Sequence, residues 1–366
     1  MARRIVQLKN AARAGRRWPT AIDVFCGAGG LSLGLRRARF RVAAAIDILP
    51  LAVESYRMNF RRVPVIQGDV REPDTASRLL RAAGLREGEL DLLAGCPPCQ
   101  GFSEIRTKRR GPVEDARNRL VLDFLRLVRE IRPRLVLMEN VPGLAGDDLF
   151  REFTAGIAAC GMLYDSGVLD GADFGTPQQR RRLVFVAARH ERPSLAGGGS
   201  ERRTVRDTIA GLADSAGRSG DPLHDHGEQR AEHVRAVITA IPKDGGSRAD
   251  LPDDEQLECH RRAALYGYGW GRNIYARMAW DGLAPTITGG CINPSKGRFL
   301  HPEEDRAITV REALLLQGFP ASHRVSLRRG KYAAAEIVGN MVPPAFVEVQ
   351  ARMLRRMRTA AAGVAA

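Results

Sequence analysis

The sequence predicts an α/β protein: a mostly parallel, doubly wound sheet followed by a second, smaller and irregular domain. Three observations carry that expectation. From Ala21 onward, short apolar runs alternate with helix-period patterns, as parallel strands joined by crossover helices require. The first run ends in a glycine-rich turn, Gly27 to Gly30, placed to open a helix. After Arg189 the periodicity gives way to Gly197-Gly198-Gly199-Ser200 and a long polar stretch, the composition of a linker into a different domain.

In chain order, the expected strands are Ala21 to Phe25, Val42 to Ile46, Val63 to Gln67, Leu90 to Leu93, Leu135 to Met138 and Leu183 to Ala187. They are continuous apolar runs, suited to a sheet covered on both faces. Arg117 to Arg132 carries Leu120, Val121, Phe124, Leu127, Val128 and Ile131 at helical spacing, and Pro133 stops it. Late in the chain, Val310 to Gln317 reads as a helix ended by Gly318-Phe319-Pro320, and Pro344 to Met357 reads as a C-terminal helix.

The 366 residues include 57 Lys and Arg against 42 Asp and Glu, a formal net charge of +15. Such a balance favours a polyanionic partner, because neutralising phosphates releases counterions. Residues 1–20, with Arg3, Arg4, Arg13, Arg16 and Arg17, read as a basic arm. Only Cys96 and Cys99 lie close among six cysteines, and the N-terminus carries no leader pattern, so reduced thiols and a cytoplasmic, nucleoid-associated protein are expected. No apolar run approaches the roughly 20 residues that cross a bilayer, so no membrane partner is expected.

The turn after the first strand, Asp23-Val24-Phe25-Cys26-Gly27-Ala28-Gly29-Gly30, lets a ligand approach the backbone and a helix N-terminus. Ser32 stands where a dinucleotide fingerprint needs its third glycine, and no Gly-Lys-Ser/Thr follows, so a nucleotide without a phosphate chain is favoured. Asp47 ends the second strand, placed for ribose hydroxyls, and Asp69 ends the third, placed for an adenine amine. Together these features suit S-adenosylmethionine.

Two further strand ends carry reactive groups. Gly95-Cys96-Pro97-Pro98-Cys99-Gln100 sets Cys99 behind two prolines as a positioned nucleophile, and Leu135 to Met138 delivers Glu139. A thiol and an acid at neighbouring strand ends suit attack on an electron-poor ring.

These blocks resemble those of the bacterial DNA cytosine-5 methyltransferases. The match continues in order through Gln178-Gln179-Arg180-Arg181-Arg182, Arg311-Glu312 with Leu316-Gln317-Gly318-Phe319-Pro320, and Gly339-Asn340-Met341-Val342-Pro343-Pro344, covering Ala21 to about Phe346. The resemblance implies a Rossmann-like class I S-adenosylmethionine-dependent methyltransferase, divided into a catalytic domain (21–189), a target-recognition domain (190–335) and a returning segment (336–366). It implies methyl transfer to carbon 5 of a cytosine flipped out of a short duplex DNA sequence, through a covalent Cys99 adduct. The setting would be a restriction-modification system or an orphan enzyme. The implied partners are double-stranded DNA and a cognate restriction endonuclease, the protein itself being a monomer. A transfer-RNA cytosine methyltransferase and a catalytically silent DNA-binding homologue are the alternatives.

By the same resemblance, Cys99, Gln100, Glu139, Arg180 and Arg182 are catalytic. Glu139 would meet ring nitrogen 3 and the exocyclic amine, and Arg182 the cytosine carbonyl oxygen. Cofactor contacts fall to Phe25, Gly27, Gly29, Gly30, Asp47, Ile48, Asp69, Val70, Pro98 and Asn340. DNA contacts fall to Tyr275, Arg277, Thr286, Thr288 and Arg298. The aromatic and basic run Tyr266, Tyr268, Trp270, Arg272, Tyr275, Arg277 and Trp280 reads either as base or sugar contact or as domain core.

Cys96 and Cys99 have the spacing of a redox or zinc pair, but no second ligand pair accompanies them, so Cys96 is expected to be structural and no metal is expected. His224, His226 and His233 read as a polar surface loop. Ile48 departs from the family by replacing a larger side chain on the adenine side.

Overall fold

The computed structural model describes residues 18–98, 119–212, 219–225, 230–265 and 273–364. The basic arm through Arg17, the candidate nucleophile Cys99 with Gln100, His226, and the run from Tyr266 to Arg272 lie outside the described residues.

Seven strands form one sheet in the order β3-β2-β1-β4-β5-β7-β6. They are β1 (Thr20–Val24), β2 (Arg41–Asp47), β3 (Val65–Gln67), β4 (Leu92–Gly95), β5 (Leu135–Asn140), β6 (Leu163–Asp170) and β7 (Arg181–Ala188). β7 runs antiparallel to both of its neighbours, and the other pairs are parallel. The six strands expected from apolar runs are all present. β6 was not expected: it is an edge strand, only partly buried, and Asp165, Ser166 and Gly167 break up its apolar character.

Helices cover both faces. On one, α1 (Gly30–Arg37) and the C-terminal α10 (Pro344–Val364) bury Leu31, Leu35, Val347 and Leu354 against Ala21, Leu92 and Leu137. On the other, α3 (Thr75–Ala83), α4 (Leu120–Ile131) and α5 (Asp148–Ala159) bury Leu79, Phe124 and Phe153 against Ile22, Val136 and Phe185. Each such fully buried side chain contributes about 2–3 kcal/mol. Arg132 closes α4 in the left-handed region, φ 52°, and Pro133 prevents its continuation. α2 (Pro50–Asn59) follows β2. Successive strand ends on this sheet change direction between β1 and β4, where a doubly wound sheet opens a crevice.

Beyond β7, the described residues up to Thr309 form short helices, including α6 (Glu232–Ala240) and α7 (Glu258–Leu265), and isolated bridges rather than strands. A small apolar cluster of Val237, Ile238, Ile241, Leu251, Tyr275 and Leu300 holds this region together. His224 is not a surface residue as expected: it is buried, its Nδ1 2.9 Å from Thr309 Oγ1. α8 (Val310–Leu316) and α9 (Gly330–Asn340) share a core with Ala28, Leu51 and Ala52 of the first domain. Arg324 N donates to Asn59 Oδ1 at 2.9 Å and Ser326 N to Ser55 Oγ at 3.0 Å, so the chain is back against the first domain well before residue 336.

Candidate active site

β1 leads into the glycine turn with the backbone wound left-handed at Phe25 (φ 63°), Gly27 (φ 53°) and Gly29 (φ 97°). Phe25 adopts this conformation despite its side chain, which marks a position held by its surroundings. At Gly29 a Cβ would collide with the Phe60 ring, so only glycine fits. Behind the turn Ser32 donates to Asp23 Oδ2 at 2.6 Å and lies 2.7 Å from the Tyr56 hydroxyl. Asp23 is fully buried with Oδ1 unpartnered, and burial pushes its carboxyl up to about 7.

Asp47, at the end of β2, accepts the Gly27 N–H at 2.8 Å and the Leu49 N–H at 2.9 Å. One carboxylate therefore ties the glycine turn of β1 to the turn after β2, leaving its remaining lone pairs for a ligand. Burial raises its pKa, and the two N–H groups oppose that rise. Beside it Ile48 and Leu49 are 53% and 48% exposed, an apolar surface at the crevice that a flat ring could cover. Asp69 is engaged: Arg71 holds its carboxylate through Nε at 3.0 and 2.9 Å, and this pairing lowers its pKa. An adenine amine would share Asp69 with Arg71. The Val70 side chain is packed into the core with Leu79 and Leu93, leaving only its backbone for a ligand.

The chemistry-bearing residues meet where β4 ends beside β5. Their register pairs Gly95 with Met138, so the next rungs set Cys96 by Glu139 and Pro97 by Asn140. Asn140 Nδ2 indeed donates to the Pro97 carbonyl at 3.0 Å, holding the segment that leads through Pro98 to Cys99. The Cys96 thiol lies against the Glu139 carboxylate; burial first, then the charges of Glu139 and Asp23, push the thiol pKa well up. Cys96 is thus a neutral donor at neutral pH. Cys96, expected to be structural, owes its contact with Glu139 to the β4–β5 register.

Glu139 Oε1 lies 3.0 Å from Arg182 Nε in an ion pair, although the angle is too poor for a hydrogen bond. The partner comes from β7, whose antiparallel register sets Glu139 opposite Val184. Arg180 plays a different part. It is buried, donating to the carbonyls of Ile287 at 3.0 Å and Met341 at 3.2 Å, with Nε unpartnered. Burial, then the neighbouring Arg182, pushes its guanidinium down to about 9, which leaves it cationic at neutral pH beside Glu139 and Cys96. Gln178 spans the same junction, accepting from Ile287 N at 3.0 Å and donating to Leu316 O at 3.3 Å.

The DNA-contact expectations divide. Arg277 is a correction: it is fully buried, its guanidinium donating to the carbonyls of Ile238, Ile241, His301 and Glu304 and to Asp305. Tyr275 is a second correction: it is buried, with its ring edge-on to His260 at 4.8 Å. Both residues build the small domain: Tyr275 packs in its apolar cluster, and Arg277 closes the core while satisfying backbone carbonyls. Thr286 spends its hydroxyl on the Gln179 carbonyl at 2.7 Å, beside the Gln178–Ala284 bridge. Thr288 is half-buried, Arg298 is exposed, and Asn340 is exposed at the end of α9. Among the described residues no cluster of metal-ligating side chains occurs and no helix is long and apolar enough to cross a membrane.

Residues 20–356 match the family model described as C-5 cytosine-specific DNA methylase. The chain is 37% identical over 347 residues to the Type II methylase M.HgiDII of Herpetosiphon aurantiacus, covering 92% of this chain and 94% of that protein. It is 33% identical over 350 residues to the Type II methyltransferase M1.HphI of Haemophilus parahaemolyticus, covering 93% and 87%. Among solved structures, a candidate DNA modification methyltransferase encoded within an E. coli prophage superposes with TM-score 0.65 at 24% identity, covering 93% of this chain and 99% of that one. At that identity the likeness supports the shared fold alone.

Proposed function

The chain belongs to the C-5 cytosine-specific DNA methylase family, and we propose the roles its own residues take in that enzyme's reaction. It is a DNA (cytosine-5) methyltransferase; the donor, the site residues and the duplex sequence are the proposal. The Glu139–Arg182 pair beside the tethered Pro97 segment is the observation that carries it.

The glycine turn, the Asp47 carboxylate and the exposed Ile48 and Leu49 fit the adenosine of S-adenosylmethionine, with Asp47 offering lone pairs to ribose hydroxyls. When bound, that donor supplies the methyl group. Carbon 5 of cytosine is a weak nucleophile until a thiolate adds at carbon 6, which is the part of Cys99. Glu139 would hold ring nitrogen 3 and the exocyclic amine while negative charge builds in the ring. Arg182 pairs with that carboxylate and would also meet the cytosine carbonyl oxygen. Once carbon 5 has lost its proton, Cys99 leaves. The base must leave the stack to meet these groups, at a cost of a few kcal/mol offset by groove and phosphate contacts.

The Type II relatives support a reading in which the enzyme protects a short duplex sequence against a cognate endonuclease. Incubation of purified protein with S-adenosylmethionine and mixed plasmid DNA, followed by bisulfite sequencing, should reveal one recurrent protected motif. Cys99→Ser should abolish that protection while retaining DNA binding. Unmodified cytosine at every site with the native enzyme overturns the proposal, and preferential transfer to transfer RNA would replace its substrate.

A further inference from the structure

A groove of about 620 Å³ runs beside the recognition segment, lined by Gly289, Gly290, Lys296, Arg329, Tyr332 and Asn340. Lys296 and Arg329 are exposed, and among the described residues neither pairs with a carboxylate. Glu336 also lines the groove, so two cations face one acid and the wall is positive. Tyr332 is 55% exposed on α9, whose opposite side buries Ala334, Ala335, Ile337 and Val338 in the shared core. Its ring stands outside that core, with the Lys331 ammonium 5.9 Å from its centroid.

The two walls of the groove are joined. A Cβ on Gly339 would overlap the Thr288 carbonyl carbon, so α9 and the Thr288 to Gly290 loop touch backbone to backbone. Arg180 fastens the same two walls through Ile287 O and Met341 O, and the same guanidinium faces Glu139. Ion pairing with a protein carboxylate is not what holds Lys296 and Arg329, so their charge is free to release counterions from phosphate.

We propose that the groove holds the sugar-phosphate backbone of duplex DNA outside the recognised bases, with Lys296 and Arg329 each neutralising one phosphate and the Tyr332 ring covering a deoxyribose. This rests on the DNA methyltransferase reading and extends it to Lys296, Arg329 and Tyr332, which none of the family blocks contains. The contact reads no sequence.

The test is fluorescence anisotropy of labelled duplexes with the full chain across a range of salt concentrations, using one duplex with the protected motif and one without. Lys296→Gln and Arg329→Gln should each reduce the slope of log affinity against log salt by about one, and the double variant by about two. Both duplexes should weaken alike. Tyr332→Ala should weaken both with the slope unchanged. A double variant with native slope and affinity overturns the proposal, and so does a loss confined to the motif-bearing duplex, which would make the groove a base reader. If the native protein methylates no duplex, the underlying function reading fails instead; an active enzyme with an unchanged slope defeats the groove alone.

Discussion

Asn140 Nδ2 donates to the Pro97 carbonyl at 3.0 Å, joining the end of β5 to the segment that follows β4. The Asn140 side-chain oxygen also accepts the Val141 N–H at 2.7 Å, so the amide is oriented from both ends. Asn140→Ala should lower kcat roughly 10- to 100-fold, the scale set by misplacing a reacting group by about 1 Å. Cofactor affinity should be retained. Methyl-transfer kinetics at saturating DNA and cofactor decide it, and a native kcat in the variant would show that the Pro97 segment is positioned by other means.

Asp47→Ala removes the acceptor of two N–H groups, on Gly27 and Leu49, as well as the lone pairs offered to ribose. Orphaning such groups costs about 1–3 kcal/mol each, so cofactor binding should weaken by about tenfold or more. Titration calorimetry with S-adenosylmethionine measures this directly. If saturating cofactor does not restore turnover, Asp47 has a role beyond holding the cofactor loop.

Asp23 makes stability depend on pH. Its folded-state pKa is raised to about 7 from a reference of 3.8 by burial. The folded state thus holds a proton that the unfolded state has lost between those values, and stability falls as pH rises through that window. Above it the buried charge persists as a penalty on the order of a few kcal/mol. Asp23→Asn, which stays neutral, should gain stability relative to the native protein from acid toward neutral pH and then hold that gain. Urea unfolding of both proteins at about pH 5 and about pH 8 measures the difference; a gap that stays constant would place the proton elsewhere.

Arg277→Met should destabilise the second domain by about 3 kcal/mol or more, since it strands four backbone carbonyls and leaves the Asp305 carboxylate without one of its cationic partners, Lys243 remaining. The expected signature is an early unfolding transition, with DNA affinity intact in molecules that remain folded. Native stability combined with lost DNA affinity would restore Arg277 to the DNA surface.

Local pattern carried much of this protein. Continuous apolar runs marked six strands, and the places of Asp47, Glu139 and the glycine turn at or near strand ends were legible from where those runs stop. β6 escaped because an exposed edge strand needs no apolar run. Tyr275 and Arg277 were misplaced because an aromatic or an arginine has the same sequence signal whether it meets DNA or closes a small core.

The sequence by itself determined the α/β class, the family and the glycine turn, and it put forward Cys99 and Glu139 as the candidate thiol and acid, since each depends on residue type and short spacing. Only the tertiary structure decided which side chains face one another. Cys96 meets Glu139 through the β4–β5 register, Arg182 reaches Glu139 from an antiparallel strand, and Arg180 becomes a strut between segments more than 100 residues apart. Such pairings join positions distant in sequence, and long-range packing and register alone set them.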